Sequence, residues 1–160
     1  MLRLALAGQP RCFIDDAEMR TAGPAFTIHT LERLRRDLGA QRPLALVIGA
    51  DQLLALPTWR AWRRLFDHAH IAVATRPGHA LSALGPELTE VLRQRRAEPA
   101  ELAWRPAGGI ALFSIPLLDI SATSIRQRII HGLSARHLLP AQVLDYIESR
   151  RLYTPETTSR

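Results

Sequence analysis

Apolar and polar positions alternate along the chain in blocks that predict helices interleaved with short strands. In the clearest helical pattern, apolar residues recur with the spacing of one helix face, at Ile28, Leu31, Leu34 and Leu38. Thr27 is expected to cap this helix, and Gly39 stands where a helix commonly ends. Similar patterns predict helices over residues 86–97, after Ser121 and after Pro140.

Short apolar runs between these helices predict four strands, at residues 12–14, 44–48, 71–74 and 110–115. The run at 44–48 is apolar throughout, as expected of a strand that is buried on both faces. Strands that alternate with helices indicate an α/β fold with a doubly wound, mostly parallel sheet. Such sheets bind ligands beyond the carboxyl ends of their strands.

The segment after Pro57 is predicted to be a helix that Thr58 caps. Trp62 then belongs to its core face, whereas Trp59 lies in the first turn near the carboxyl edge of the sheet. A tryptophan in that position is placed to stack on a flat ring, and core packing is the alternative interpretation.

The 160 residues fit one domain and carry a net charge of +6, which admits phosphate-bearing partners without requiring them. The arginine clusters fall on predicted solvated helix faces, so no nucleic-acid partner is expected. Cys12 is the only cysteine, which excludes an internal disulfide and a cysteine zinc cluster. No apolar run approaches the roughly 18 residues of a membrane span, and the chain is predicted to be cytoplasmic.

Two turns carry candidate chemistry. After Ile120, small and hydroxylated residues open a helix that places Arg126 one turn inside, an arrangement that suits phosphate. Plain helix capping by Ser121, with Arg126 in solvent, is the commoner arrangement for such a sequence. Gly49 and Asp51 directly follow a predicted strand and can approach a ribose or a metal, although a simple turn capped by Asp51 fits equally well.

These segments occur in the order found in bacterial nicotinate-nucleotide adenylyltransferases, which the chain resembles from residue 1 to about residue 153. Residues 24–31 (PAFTIHTL) are similar to the family's Ser-Tyr-Thr-x-x-Thr-Leu segment, with Phe26 in place of the usual tyrosine. Residues 120–126 (ISATSIR) are similar to its Ile-Ser-x-Thr-x-Ile-Arg motif. The stretches VIGAD, PTW and RPG, at 47–51, 57–59 and 76–78, are also similar to segments of the family. Each motif is weak by itself, and it is their common order along the chain that makes the resemblance specific.

The resemblance implies an enzyme that joins nicotinate mononucleotide to ATP and yields deamido-NAD and pyrophosphate, with Mg²⁺ on the leaving phosphates. It implies a Rossmann-like nucleotidyltransferase domain over residues 1–153, followed by a polar tail at 154–160. The residues that would bind ATP are Gly49, Asp51, Ser121, Thr123 and Arg126. The residues that would contact the pyridine nucleotide are Thr27, Thr30, Trp59 and Arg76.

In the family, a strand, a glycine-rich loop and a His-x-Gly-His motif precede the part that this chain resembles. The chain contains no His-x-Gly-His, so no catalytic residue is assigned in it. Because the preceding strand would lie in the middle of the sheet, we expect the 160-residue product to be poorly soluble or partly unfolded, and inactive. We also expect an upstream in-frame extension that encodes the motif.

Two other functions fit parts of the sequence. Another small adenylyltransferase, such as one acting on phosphopantetheine, is disfavoured by the segment around Thr27 and by Trp59. A non-catalytic nucleotide- or RNA-binding remnant is favoured by the absent histidine motif, and the motif of residues 121–126 does not exclude it. The preference for nicotinate over nicotinamide mononucleotide stays open, as does the oligomeric state, a homo-oligomer included.

Overall fold

A computed structural model of the chain describes residues 1–75, 84–116, 118 and 120–154. The chain forms two compact units. The central unit is Ala17–Leu117, and the terminal unit combines Met1–Asp16 with Leu118–Arg160. The single domain over residues 1–153 and the tail at 154–160 stay predictions.

Eight α-helices and three strands are found in the described ranges. In chain order they are α1 (Leu2–Ala5), α2 (Ala17–Arg20), α3 (Thr27–Leu38), β1 (Ala45–Gly49), α4 (Ala50–Ala55), α5 (Leu65–His68), β2 (His70–Thr75), α6 (Pro86–Arg95), β3 (Ile110–Ser114), α7 (Ala122–Ile130) and α8 (Ala141–Ser149). Short 3-10 segments lie at Leu56–Thr58, Trp62–Arg64 and Pro99–Ala103. The predicted helices at 86–97, after Ser121 and after Pro140 are confirmed as α6, α7 and α8.

The central unit is built on a parallel sheet in the order β1-β2-β3. Ile48 pairs with Val73, and Val73 pairs with Leu112. Parallel pairing places the carboxyl ends of all three strands at one edge, as the sequence predicts. The core of this unit joins apolar residues of the sheet to those of the surrounding helices, chiefly Ile28, Leu31, Leu53, Leu65, Ile71, Val73, Leu88 and Ile110.

The prediction that residues 44–48 are buried on both faces is wrong. Among the described strands β1 has a neighbour on one side only, and the Val47 side chain is 64% exposed. Since β1 and β3 both pair with β2, the described strands leave no gap between them. Apolar surface is exposed instead on β1, the edge strand.

The strand predicted at residues 12–14 is also wrong. This segment has no regular structure, and the Phe13 side chain is 88% exposed. A run of three apolar residues forms a strand only when a neighbour supplies ladder hydrogen bonds, and no described strand pairs with it. In the terminal unit, α1 packs instead against α8, whose Val143 and Ile147 are buried.

Two polar side chains join distant parts of the central unit. The Arg35 guanidinium, on α3, donates hydrogen bonds to the backbone carbonyls of His68, Arg42 and Pro106. His70 is fully buried in β2. Its ring joins β2 to the 105–109 segment through hydrogen bonds at both nitrogens.

Candidate active site

Gly49 and Asp51 form a tight turn where β1 passes into α4. Gly49 ends the strand and caps the helix, and a Cβ atom at this position would lie 2.5 Å from Asp51 Oδ1. The Asp51 carboxylate therefore folds back over the glycine, and it accepts a hydrogen bond from Gln52 at 3.2 Å. A carboxylate in the first turn of a helix is favoured by the helix dipole. Asp51 remains exposed at the carboxyl edge of the sheet.

Thr27 and Thr30 lie on the first turns of α3. The helix begins at Thr27 with Phe26 as its N-cap, so the prediction that Thr27 caps the helix is wrong. Thr30 donates a hydrogen bond to the Glu18 carboxylate. Thr30 also lines a cavity of about 220 Å³, together with Phe26 and His29, and Thr27 does not.

The charged residues beside this cavity form a chain of contacts. The His29 ring lies 3.3 Å from a Glu32 oxygen, and Arg64 lies 3.0 Å from the other oxygen of the same carboxylate. The hydrogen bond to His29, assisted by the charge of Arg64, lowers the pKa of Glu32. Glu32 therefore stays ionised near neutral pH and holds His29 edge-on to the Phe26 ring, with 6.0 Å between their centroids.

The chain around Trp59 does not form the helix predicted after Thr58. A 3-10 turn ends at Thr58, Trp59 is extended, and Ala61 adopts a left-handed conformation at φ 51° and ψ 36°. The chain can resume helical geometry only after Ala61, because a left-handed residue interrupts a right-handed helix. Trp62 is a buried core residue, as predicted. Trp59 is half-buried against the same core, and its role as a ligand contact stays a prediction.

The sequence patterns did not indicate the contact between Arg60 and Phe26. The Arg60 guanidinium carbon lies 4.7 Å from the centroid of the Phe26 ring. The contact joins the residue next to Trp59 to the N-cap of α3, across 34 positions of sequence. Cation–π pairs lack sequence periodicity, so no spacing rule could have found this one.

The predicted phosphate-binding turn belongs to the terminal unit. Ser121 caps α7, with its Oγ accepting from the Ser124 backbone N–H at 3.0 Å. Ser124 Oγ in turn accepts from the Ser121 N–H at 3.1 Å and completes a capping box. Sequence reasoning missed Ser124 because capping boxes are usually recognised by Glu or Gln at this position.

Thr123 and Arg126 both lie exposed on the first turns of α7. Arg126 donates from Nε to the Ala122 carbonyl at 3.0 Å, and its terminal nitrogens have no carboxylate partner in the described ranges. The turn can thus offer a guanidinium fork and a free hydroxyl to an anion while the capping box holds the backbone in place. Arg76, also predicted to bind substrate, lies outside the described residues.

Among the described residues, no helix has the length and apolar character needed to cross a membrane, and no cluster of three or more His, Cys, Asp or Glu has metal-binding geometry. Thr27, Thr30, Gly49, Asp51 and Trp59 belong to the central unit. Ser121, Thr123 and Arg126 belong to the terminal unit. A cytoplasmic location stays a prediction.

Comparison with known proteins shows that this chain is similar to nucleotidyltransferases. The profile of the cytidylyltransferase-like family matches residues 1–128. A probable nicotinate-nucleotide adenylyltransferase of Dechloromonas aromatica is 47% identical over 156 residues, which are 96% of this chain and 72% of that protein. A protein of the same description from Yersinia enterocolitica is also 47% identical, over 96% of this chain and 70% of its own length.

Solved structures agree at the level of the fold. The nicotinic acid mononucleotide adenylyltransferase of Plasmodium falciparum in complex with NaAD aligns with a TM-score of 0.55 at 14% identity, over 82% of this chain and 58% of its own. The same enzyme in complex with APC aligns with a TM-score of 0.52, over 82% of this chain and 60% of its own. The predicted α/β, Rossmann-like nucleotidyltransferase fold is thereby confirmed.

Proposed function

This chain belongs to the nicotinate-nucleotide adenylyltransferase family, and we propose that the protein transfers the adenylyl group of ATP to nicotinate mononucleotide. The phosphate oxygen of the mononucleotide attacks the α-phosphorus of ATP. The bond from that phosphorus to the bridging oxygen breaks, and pyrophosphate leaves with the electron pair. The observation that carries the proposal is the identity of almost half, maintained over nearly the whole chain, to relatives of that description.

In this proposal the chain's own residues act by binding and orienting the two nucleotides. Arg126 and Thr123 hold ATP phosphates at the start of α7, while Ser121 and Ser124 keep the turn rigid. Gly49 has no side chain, so the Asp51 carboxylate can fold back over the end of β1, and there it bonds a ribose hydroxyl. Trp59 stacks on the pyridine ring from its half-buried position. The proposal also assigns Thr27, Thr30 and Arg76 to binding of the pyridine nucleotide.

We further propose that Mg²⁺ enters with ATP as part of the substrate. The described residues offer one exposed carboxylate at the turn after β1, Asp51, and no cluster of metal-ligating side chains. That set fits an ion held mainly by phosphates and water, as is usual for Mg²⁺ in phosphoryl-transfer sites. The ion would neutralise charge on the departing pyrophosphate.

The test measures pyrophosphate release and deamido-NAD formation from ATP and nicotinate mononucleotide. The 160-residue chain is assayed beside any longer product of the same reading frame. Binding of each nucleotide to the 160-residue chain is measured by calorimetry. The proposal expects transfer that requires nicotinate mononucleotide. Tight nucleotide binding without transfer by any product would instead indicate a non-catalytic nucleotide-binding protein, and neither binding nor transfer would overturn the proposal.

A further inference from the structure

Arg60 carries a charge that no described residue neutralises. Its neighbours differ, since Arg63 pairs with Glu87 and Arg64 pairs with Glu32. Arg60 has no ion pair and donates no hydrogen bond to a described acceptor, and its side chain is exposed. An arginine whose fork is unused can bind a carboxylate without first breaking another pair.

The Phe26 ring orders this free guanidinium. The guanidinium carbon lies 4.7 Å from the ring centroid, so one face of the cation is covered. The N–H groups of a guanidinium lie in its plane, and those of Arg60 donate to no acceptor among the described residues, so they are available to a ligand. Phe26 is itself fixed by packing against the core and by the edge of His29.

The backbone fixes Arg60 from its other side. Ala61 is held at φ 51°, a conformation that a residue with a Cβ atom seldom adopts. Such outliers persist where the surrounding structure requires them, and buried Trp62 follows immediately. The backbone at Arg60 is therefore held in one conformation, because half-buried Trp59 precedes it in the chain and the left-handed residue and buried Trp62 follow it.

We propose that Arg60 makes the site select a pyridine nucleotide that bears a ring carboxylate over the same nucleotide that bears a carboxamide. This inference rests on the proposed function, because it places the pyridine ring at Trp59. The two nucleotides have nearly the same shape and differ by one negative charge on the ring substituent. A bidentate, charge-assisted contact from Arg60 strengthens binding of the acid, whereas the neutral amide gains only an ordinary hydrogen bond.

The experiment compares wild type, Arg60→Gln and Arg60→Lys for both mononucleotides. Calorimetry on the 160-residue chain gives each Kd, and the transfer assay on any active product gives each kcat/KM. Arg63→Gln is the matched control, because Arg63 also stacks on an aromatic ring, 5.3 Å from the Trp62 centroid, but is already paired with Glu87. Thermal unfolding confirms that each variant is folded.

Arg60→Gln should weaken binding of nicotinate mononucleotide about tenfold or more, the usual effect of losing a charged hydrogen bond, and leave the amide within about twofold. Arg60→Lys should retain part of the preference, because it keeps the charge but loses the planar fork. Arg63→Gln should match wild type. An unchanged acid-to-amide ratio in Arg60→Gln would overturn the role of Arg60 while leaving the transferase proposal standing. If wild type binds neither mononucleotide and no product transfers the adenylyl group, the proposed function fails, and this inference fails with it.

Discussion

The buried ring of His70 accepts the backbone N–H of Gly109 on Nδ1, with 2.9 Å between the two nitrogens. Its Nε2 lies 2.7 Å from the Arg105 carbonyl, which can only accept, so the proton sits on Nε2. A Cβ atom at Gly109 would come within 3.0 Å of that Nδ1. The close approach that makes the hydrogen bond therefore also favours glycine at position 109.

Replacing His70 with Phe should destabilise the protein by about 2–4 kcal/mol, because it leaves the buried N–H of Gly109 and the part-buried carbonyl of Arg105 without partners while roughly keeping the volume. The measurement is the free energy of unfolding in urea. His68→Phe is the matched control, since His68 Nδ1 is buried without a hydrogen-bond partner among the described residues. A loss of similar size in both variants would show that aromatic packing, not the His70 hydrogen bonds, sets the effect.

The two tryptophans after Pro57 should separate stability from substrate binding. Trp62→Ala should cost about 3–5 kcal/mol of stability, because Trp62 is buried and packs edge-on to Phe66 with 6.4 Å between centroids. Trp59→Ala should cost less, since Trp59 is half-buried, and should raise the KM for nicotinate mononucleotide. Urea unfolding and steady-state kinetics are the two measurements. Equal destabilisation with unchanged KM would assign Trp59 to the core alone.

Arg126 should serve the ATP phosphates through its terminal nitrogens. Arg126→Lys keeps the charge but removes the bidentate fork, so the KM for ATP should rise about tenfold while the fold is unchanged. Arg128→Lys on the same helix is the control, because Arg128 donates to the Ser134 carbonyl at 3.0 Å and has no assigned role with ATP. Full activity of Arg126→Lys would leave only the helix-capping interpretation of this turn.

Val47 should govern aggregation rather than activity. It is an exposed apolar residue on the edge strand β1, where exposed apolar side chains invite pairing with other chains. Val47→Lys should lower light scattering at high protein concentration and leave the free energy of unfolding within about 0.5 kcal/mol. Light scattering that stays at the wild-type level would show that the surface responsible for self-association lies elsewhere.

Regular elements with strong patterns were predictable from the sequence. The spacing of Ile28 and Leu31 identified α3, and a similar pattern over residues 86–97 identified α6, because a helix that buries one face carries its apolar residues at regular intervals. The apolar run before Gly49 correctly predicted β1, but it did not predict that part of this strand is exposed. Which parts of a strand are covered depends on the elements that pack beside it and not on its composition. The strand predicted at residues 12–14 is absent for a related reason, because no described strand lies beside this segment to pair with it.

The candidate site was less predictable where backbone conformation decides it. Alanine rarely adopts a left-handed conformation, so the residue type of Ala61 could not have predicted one. That conformation interrupts the helix predicted after Thr58. The capping role shifted from Thr27 to Phe26 because α3 begins at Thr27 itself, one residue earlier than its polar signal suggested. Tertiary contacts such as Arg60 on Phe26 follow from these backbone details.

The hydrogen bonds of Arg35 bear on the order in which the chain folds. A helix such as α3 can form within its own sequence, but the carbonyls that Arg35 reaches at His68 and Pro106 lie 33 and 71 positions away. Closing loops of that length costs conformational entropy that the formation of a local helical turn does not require. The last turns of α3 should therefore fray until β2 and the segment before β3 have docked. The hydrogen bonds of Arg35 would then form late in folding and hold the end of the helix in place.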